Sequence, residues 1–287
     1  MTLIPNRPRN SLPILDARSG HYFWKGQGAL SIKTFRNGRA VYEAGHGHFA
    51  VGEGSYLLLN HGQEYSITIE AQAPVESFCI FFPEHMTEEI YRSLITPEEK
   101  LLDDPLSLKP GPVDFVEKTY GNDEWLTPAL LKLKAEYGNK LGDDVWLDEQ
   151  LHDLAQRLLQ VHRQVHREML KLPSRKASTR EELFRRVSIG HDYMTAYYAK
   201  PITLEEIAGA ACLSPNHFLR CYKQLFGQSP HQYLTELRLR EAKRLLLRTD
   251  TSITDICLNV GFHSPSSFSG LFAKRFGASP SRFRQKK

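Results

Sequence analysis

Between residues 21 and 82 the apolar positions come in short runs separated by glycine and other turn residues. Residues 29–35 alternate, as a strand with one buried face does. Tyr56-Leu57-Leu58-Leu59 is a continuous apolar run, and residues 65–70 and 75–82 supply two more. Arg36-Asn37-Gly38-Arg39 and Asn60-His61-Gly62 have the composition of turns, and Gly45, Gly47, Gly52 and Gly54 punctuate the stretch between them. Many short strands at this spacing predict a small barrel or sandwich. Residues 1–19, rich in proline and arginine and without periodicity, predict a flexible arm.

Past Pro83 the period lengthens. Residues 84–101 read as a helix, Asp103-Asp104-Pro105 and Lys109-Pro110-Gly111-Pro112 as breakers, 115–120 as an edge strand and 123–137 as a helix despite Pro128. The strongest helical signal of this half covers residues 148–172. Leu151, Leu154, Leu158, Val161 and Val165 recur at alternating three- and four-residue spacing, a coiled-coil-like seam. Gln156, Arg157, Gln160, Arg163, Gln164 and Arg167 border it. Two uses are open to the seam: dimerisation, or packing on the chain's own barrel. Pro173-Ser174-Arg175-Lys176-Ala177-Ser178 has linker composition, which divides the chain into domains at residues 20–172 and 179–287. Thr179 and Glu182 have capping-box spacing at the head of a helix reaching about residue 199 and carrying Leu183, Val187, His191 and Met194.

The remaining stretch repeats itself. Ser214-Pro215, Phe218, Phe226-Gly227, Ser229-Pro230 and Tyr233 recur as Ser264-Pro265, Phe268, Phe276-Gly277, Ser279-Pro280 and Phe283, at an offset of 50 residues. His263 is the single extra residue in the second copy. Each copy reads as a short helix, a tight turn and a second helix. In the first copy (203–225), Thr203 and Glu206 cap the short helix, Ile207 points inward and Ala208 and Ala211 permit close approach. The turn is Cys212-Leu213-Ser214, and Ser214 with Pro215 opens the second helix. Phe218, Tyr222 and Leu225 or Phe226 face inward, which leaves Asn216, His217, Arg220, Lys223 and Gln224 outward. In the second copy (251–275), Thr251 or Ser252 opens the short helix and Val260-Gly261-Phe262 forms the turn. Ser264 caps the helix that carries Ser266, Ser267, Lys274 and Arg275. A helix over 231–248 joins the copies; Leu234, Leu237, Ala242, Leu245 and Leu246 pack it. Arg238, Arg240, Lys243, Arg244 and Arg248 give it a basic side. Such a second helix, polar and basic outward, suits a DNA major groove.

Charge sharpens this picture. Residues 179–287 carry 17 Lys/Arg against 9 Asp/Glu, whereas the rest of the chain is mildly acidic, within an overall net charge of +4. A basic domain beside an acidic one fits a polyanion-binding module attached to something else. Cys79, Cys212, Cys221 and Cys257 show no paired spacing and read as reduced, buried thiols of a cytoplasmic protein, without structural zinc. No signal peptide and no apolar run of membrane-spanning length stand out.

In the N-terminal half, the residue types suited to a small-molecule pocket are Phe23, Trp24, Tyr42, His46, His48, Tyr56, His61 and Tyr65, with Arg39 or His48 available to an anionic group. His46 and His48, with Glu53, Glu64 and His61 nearby, raise a metal reading, but no spacing fixes a third ligand, so no metal and no cofactor are assigned. A metalloenzyme built on His46, His48 and Glu53 is retained only as an alternative, as is a protein-interaction module with incidental basic charge.

The residues of the duplicated unit carry a family resemblance. Ala208, Ala211-Cys212-Leu213-Ser214-Pro215 and Phe226-Gly227-Gln228-Ser229-Pro230 resemble the first unit of the AraC/XylS family of bacterial transcription regulators. Gly261-Phe262-His263-Ser264-Pro265-Ser266-Ser267-Phe268-Ser269, Phe272 and the run from Phe276 to Arg284 resemble its C-terminal signature. The resemblance implies a two-domain α+β protein: a cupin-like barrel with dimerising helices, then an all-α domain with two helix–turn–helix units joined by a helix. It implies double-stranded DNA read in two adjacent major grooves, RNA polymerase as a partner, a small effector in the barrel and a homodimer. The expected function is a regulator rather than an enzyme, activating transcription under effector control; a repressor or an effector-independent regulator are the alternatives. Arg220, with Asn216, His217 and Gln224, is expected to read bases; Lys223, Arg248, Lys274 and Arg282 to hold phosphates; Ser266 and Ser267 to lie at the second groove. Three residues depart from the family pattern. Cys212 stands where glycine is usual, Cys257 where alanine is, and Gly270 where many relatives have arginine, so the second unit is expected to rely more on phosphates and shape.

Overall fold

The computed structural model describes residues 13–96 and 113–285, and the chain divides into two compact units, Met1–Glu168 and Met169–Lys287. Each is taken by itself.

Among the described residues the first unit is a nearly closed, cupin-like β-barrel of seven strands with three helices, one of them ahead of the last strand. The strands are β1 (Ile14–Gln27), β2 (Ser31–Arg36), β3 (Arg39–Ala44), β4 (Gly47–Gly52), β5 (Ser55–Leu59), β6 (Glu64–Phe81) and β7 (Thr119–Gly121). They run β4-β3-β6-β2-β5-β7, with β1 added along β6. All pairings are antiparallel. The long β6 is the hub: its first half pairs with β3 and its second half with β2, while β1 follows both. The two strands expected at 65–70 and 75–82 are therefore one. What bends it is a register shift opposite Ser19 and His21, where a Cβ on Gly20 would sit 3.1 Å from the Ala71 carbonyl.

Three expectations for this unit need correction. Residues 14–19 are not arm but the start of β1, because Ile14 and alternate residues after it find partners on β6; residues 1–12 lie outside the described residues. The expected edge strand at 115–120 shrinks to Thr119–Gly121, because the amide and carbonyl of Phe115 pair with the side chain of Asn60, both at 2.8 Å, instead of with a strand. The helix expected from 123 starts at Thr127. Asp123 stands ahead of it, accepting from the amides of Trp125 (2.7 Å) and Leu126 (2.6 Å), and Pro128 falls in the first turn, where its missing N–H costs nothing.

The helices of this unit are α1 (Met86–Ile95), α2 (Thr127–Tyr137) and α3 (Asp144–Met169); part of the breaker region, 97–112, lies outside the described residues. Leu151, Leu154, Leu158, Val161 and Val165 are all buried within the single chain. The contacts that tie α3 down are the Phe115 ring edge-on to His162 at 5.5 Å, Lys118 to Glu168 at 3.7 Å and Arg157 to the Trp125 carbonyl at 3.0 Å. The apolar seam is therefore occupied by the chain's own fold and is not a free dimerisation stripe.

The second unit is all-helical: α4 (Ala177–Tyr197), α5 (Leu204–Ala210), α6 (Pro215–Phe226), α7 (Pro230–Arg248), α8 (Ile253–Asn259), α9 (Pro265–Phe276) and α10 (Pro280–Gln285). Helix α4 begins at Ala177 with no side-chain cap, so the Thr179–Glu182 capping box does not form. Helix α4 lies close against α6 at Gly190, where a Cβ would come 2.4 Å from the Phe218 ring. The second copy has its own core of Leu239, Ala242, Leu246, Ile256, Cys257, Val260, Phe268 and Phe272.

Candidate nucleic-acid interface

The two helix–turn–helix units are built by the same local chemistry with small differences. In the first, Thr203 and Glu206 form a full capping box at the head of α5. In the second, Ser252 accepts from the Asp255 amide at 3.0 Å. The turns need a left-handed residue. Gly261 supplies it in the second unit at φ 90°, where a Cβ would lie 2.9 Å from the Tyr198 carbonyl. In the first unit Cys212 adopts it at φ 51°, the strain expected from a residue with a Cβ. Arg186 donates to the Cys212 carbonyl at 3.1 Å and steadies that turn. Cys212 is exposed, unlike Cys79, Cys221 and Cys257, so the expectation of four buried thiols holds for three; none of the four is in a disulfide.

Helices α6 and α9 follow the turns. Ser264 caps α9 by accepting from the Ser267 amide at 3.3 Å and also pairs with the Ser266 hydroxyl at 3.0 Å. Ser214 makes no side-chain cap, which departs from the expected symmetry. On α6 the inward side chains are Phe218, Cys221, Tyr222 and Leu225; Asn216, Arg220, Lys223 and Gln224 are exposed and His217 is half-buried. Their common outward side is what a groove-entering helix presents. On α9 Phe268 and Phe272 are buried, while Ser266, Ser267, Lys274 and Arg275 are exposed. Arg275 is held 2.8 Å from Glu236, whose hydrogen bond and charge raise its pKa.

The joining helix α7 is less free than its sequence suggests. Arg238 donates to the carbonyls of Tyr198 (2.7 Å) and Lys200 (2.8 Å), closing the end of α4, and burial lowers its pKa. Lys243 lies over the rings of Phe276 and Phe283, and Arg244 pairs with Glu241 at 2.9 Å. Arg248 and, after α9, Arg282 are exposed. The half-buried His191 stacks on Phe226 at 4.5 Å and meets the Tyr222 hydroxyl at 3.0 Å, so the residue expected only as a helix-face position joins α4 to α6.

The barrel residues separate into inside and outside. Tyr42 and Tyr65 are buried in the apolar interior with Trp24 packed against it, the Trp24 and Tyr65 rings 4.9 Å apart. Tyr56 is buried but committed: its hydroxyl donates to Asp123 at 2.8 Å, and burial, then Asp123, push its pKa far up. Phe23, Arg39, His46 and His61 are exposed. His48 is half-buried, 3.5 Å from Glu43. Among the described residues no three His, Cys, Asp or Glu side chains converge on a metal position. Missed in the sequence was Lys33, 2% exposed, whose ammonium lies 3.9 Å over the Phe81 ring and 5.4 Å over Tyr65. The signal was present: Lys33 shares strand parity with the interior residue Phe35.

Two helix–turn–helix units on one all-α scaffold define a tandem DNA-binding module. A family model described as a helix-turn-helix domain matches residues 207–286. Over 93 residues the chain is 38% identical to the lactose operon transcription activator of Staphylococcus xylosus, covering 32% of this chain and 33% of that protein. It is 35% identical over 114 residues to the HTH-type transcriptional regulator ArgR of Pseudomonas aeruginosa, covering 40% and 33%. With the HTH-type transcriptional activator RhaS of Enterobacter sp. it shares 38% over 93 residues, covering 32% and 34%. The chain spans about a third of the length of these relatives. The C-terminal domain is of the AraC/XylS type.

Proposed function

We propose that this protein is a sequence-specific DNA-binding transcription regulator. The observation that carries the reading is the exposed row Asn216, Arg220, Lys223 and Gln224 on a helix whose other side is locked into the core. Arg220 reads guanine, Asn216 and Gln224 neighbouring bases, and Lys223, Arg248, Lys274 and Arg282 hold phosphates. Helix α9 offers Ser266, Ser267 and Gly270 where α6 offers Asn216, His217 and Arg220, so it contributes shape and backbone contact more than base readout. Two of the relatives above are named activators, which favours activation, with RNA polymerase as the contact. The barrel takes a small effector among Trp24, Tyr42 and Tyr65.

The test is selection of bound duplexes from a random pool, followed by titration of enriched and scrambled DNA. A two-part motif is expected, and Arg220→Ala should forfeit about 1–3 kcal/mol of preference at one position. Equal affinity for enriched and scrambled duplexes would sink the reading.

A further inference from the structure

Helix α3 carries two histidines one turn apart, His162 and His166, near its C-terminal end. Residues four apart share a helix face, the spacing at which two imidazoles can hold one metal ion. Here the two side chains meet: their Nε2 atoms are 3.0 Å apart and their ring centroids 4.4 Å. A ring nitrogen lies about 1.1 Å from its centroid, so a straight N–H···N hydrogen bond of that length would set the centroids about 5.3 Å apart. The shorter separation means that the two rings are bent off the line between the nitrogens, as rings are when both nitrogens turn toward a common point beside it.

The surroundings hold this geometry. The Phe115 ring stands edge-on to His162 at 5.5 Å, and the Phe115 backbone is fixed at both its amide and its carbonyl by Asn60. His162 is thus half-buried against a wall, whereas His166 is exposed and leaves the pair open to solvent. His166 lies in the last turn of α3, where the negative end of the helix dipole favours a cation. Arg163 and Arg167 follow the two histidines by one residue, about 100° round the helix, and so project to another side. From this arrangement we propose that His162 and His166 chelate one divalent transition-metal ion through their Nε2 atoms, with water at the remaining positions. Metal–nitrogen bonds of about 2.0–2.1 Å that span 3.0 Å enclose an angle of about 95°. That is the cis angle of a tetragonal site rather than a tetrahedral one, which suits Cu(II) or Ni(II) better than Zn(II). Two protein ligands leave the coordination open, unlike that of a structural zinc. The proposal rests neither on DNA binding nor on an effector in the barrel.

The experiment is calorimetric titration of the full-length, metal-free protein with Cu(II), joined to electron paramagnetic resonance of the Cu(II) form. One Cu(II) per chain should bind ahead of any weaker sites, with a spectrum showing two nitrogen ligands. His166→Gln and His162→Gln should each weaken that site about a hundredfold, because a chelate becomes a single ligand. His152→Ala, at an exposed histidine of the same helix, should leave it unchanged. Bound Cu(II) should raise the thermal midpoint of the wild type and of His152→Ala by several degrees, and that of the two glutamine variants by less, since only the folded helix holds the spacing. His166 is exposed, so the metal-free midpoint of His166→Gln should match the wild type. If His162→Gln lowers that midpoint through lost packing on Phe115, His166→Gln alone carries the comparison. A wild type that binds no Cu(II), a site that survives His166→Gln, or a spectrum with a single nitrogen ligand overturns the proposal.

Discussion

At Gly190 the α4 and α6 backbones come so close that a methyl group would strike the Phe218 ring at 2.4 Å. Gly190→Ala should therefore destabilise the C-terminal unit by about 1–3 kcal/mol, seen as a lower urea midpoint. Cys212 points the other way. Its left-handed backbone is strained only because it has a Cβ, so Cys212→Gly should stabilise by about 1 kcal/mol in the same assay. Tyr56→Phe leaves Asp123 without its buried donor and should cost the barrel about 1–3 kcal/mol. These three positions differ in how far the sequence announced them. Cys212 was legible because the second copy supplies its own control, Gly261, at the matching turn. Gly190 was not, since nothing in a helical run shows which neighbour will crowd it. Tyr56 looked like a pocket residue because an aromatic's type does not say whether its hydroxyl already has a partner.

Elements were easier to read than their edges. The helices of the duplicated unit begin at Ser-Pro, Thr-x-x-Glu and Ser-x-x-Asp signatures, which act within one turn and need no tertiary context. The capping asymmetry is visible only in three dimensions. Ser264 holds the Ser267 amide and Ser214 holds none, so Ser264→Ala should cost about 0.5–2 kcal/mol and Ser214→Ala nearly nothing, by thermal denaturation. In the barrel, β6 was read as two strands because Ala71, Gln72, Ala73 and Pro74 interrupt the apolar pattern. Pairing with β1 carries the strand through that gap, which is a non-local effect. The seam of α3 shows the same limit. Its periodicity gives a buried face but not the identity of what buries it, and here the occupant is the chain itself. Leu158→Ala should accordingly lower stability by about 2–5 kcal/mol, read as a lower urea midpoint.

For the molecule as a whole, the division of charge between an acidic N-terminal part and a basic C-terminal part sets how DNA affinity responds to salt. Each lysine or arginine that meets a phosphate releases a counterion, so log affinity should fall linearly with log salt. Counting basic residues overestimates that slope, because several are already spent inside the fold. Arg275 is neutralised by Glu236 at 2.8 Å, Arg238 closes the end of α4, and Lys243 lies on two aromatic rings. Lys223 and Lys274 are exposed and form no ion pair among the described residues. Lys223→Ala and Lys274→Ala should each flatten the slope by about one and weaken enriched and scrambled duplexes alike. Arg275→Ala should leave the slope nearly unchanged, since removing it also frees the Glu236 charge it was holding. Fluorescence anisotropy across a salt series measures all three. If Arg275→Ala flattened the slope as much as Lys274→Ala, Arg275 would have to leave Glu236 for a phosphate on binding, and the basic surface would be larger than the unbound fold displays.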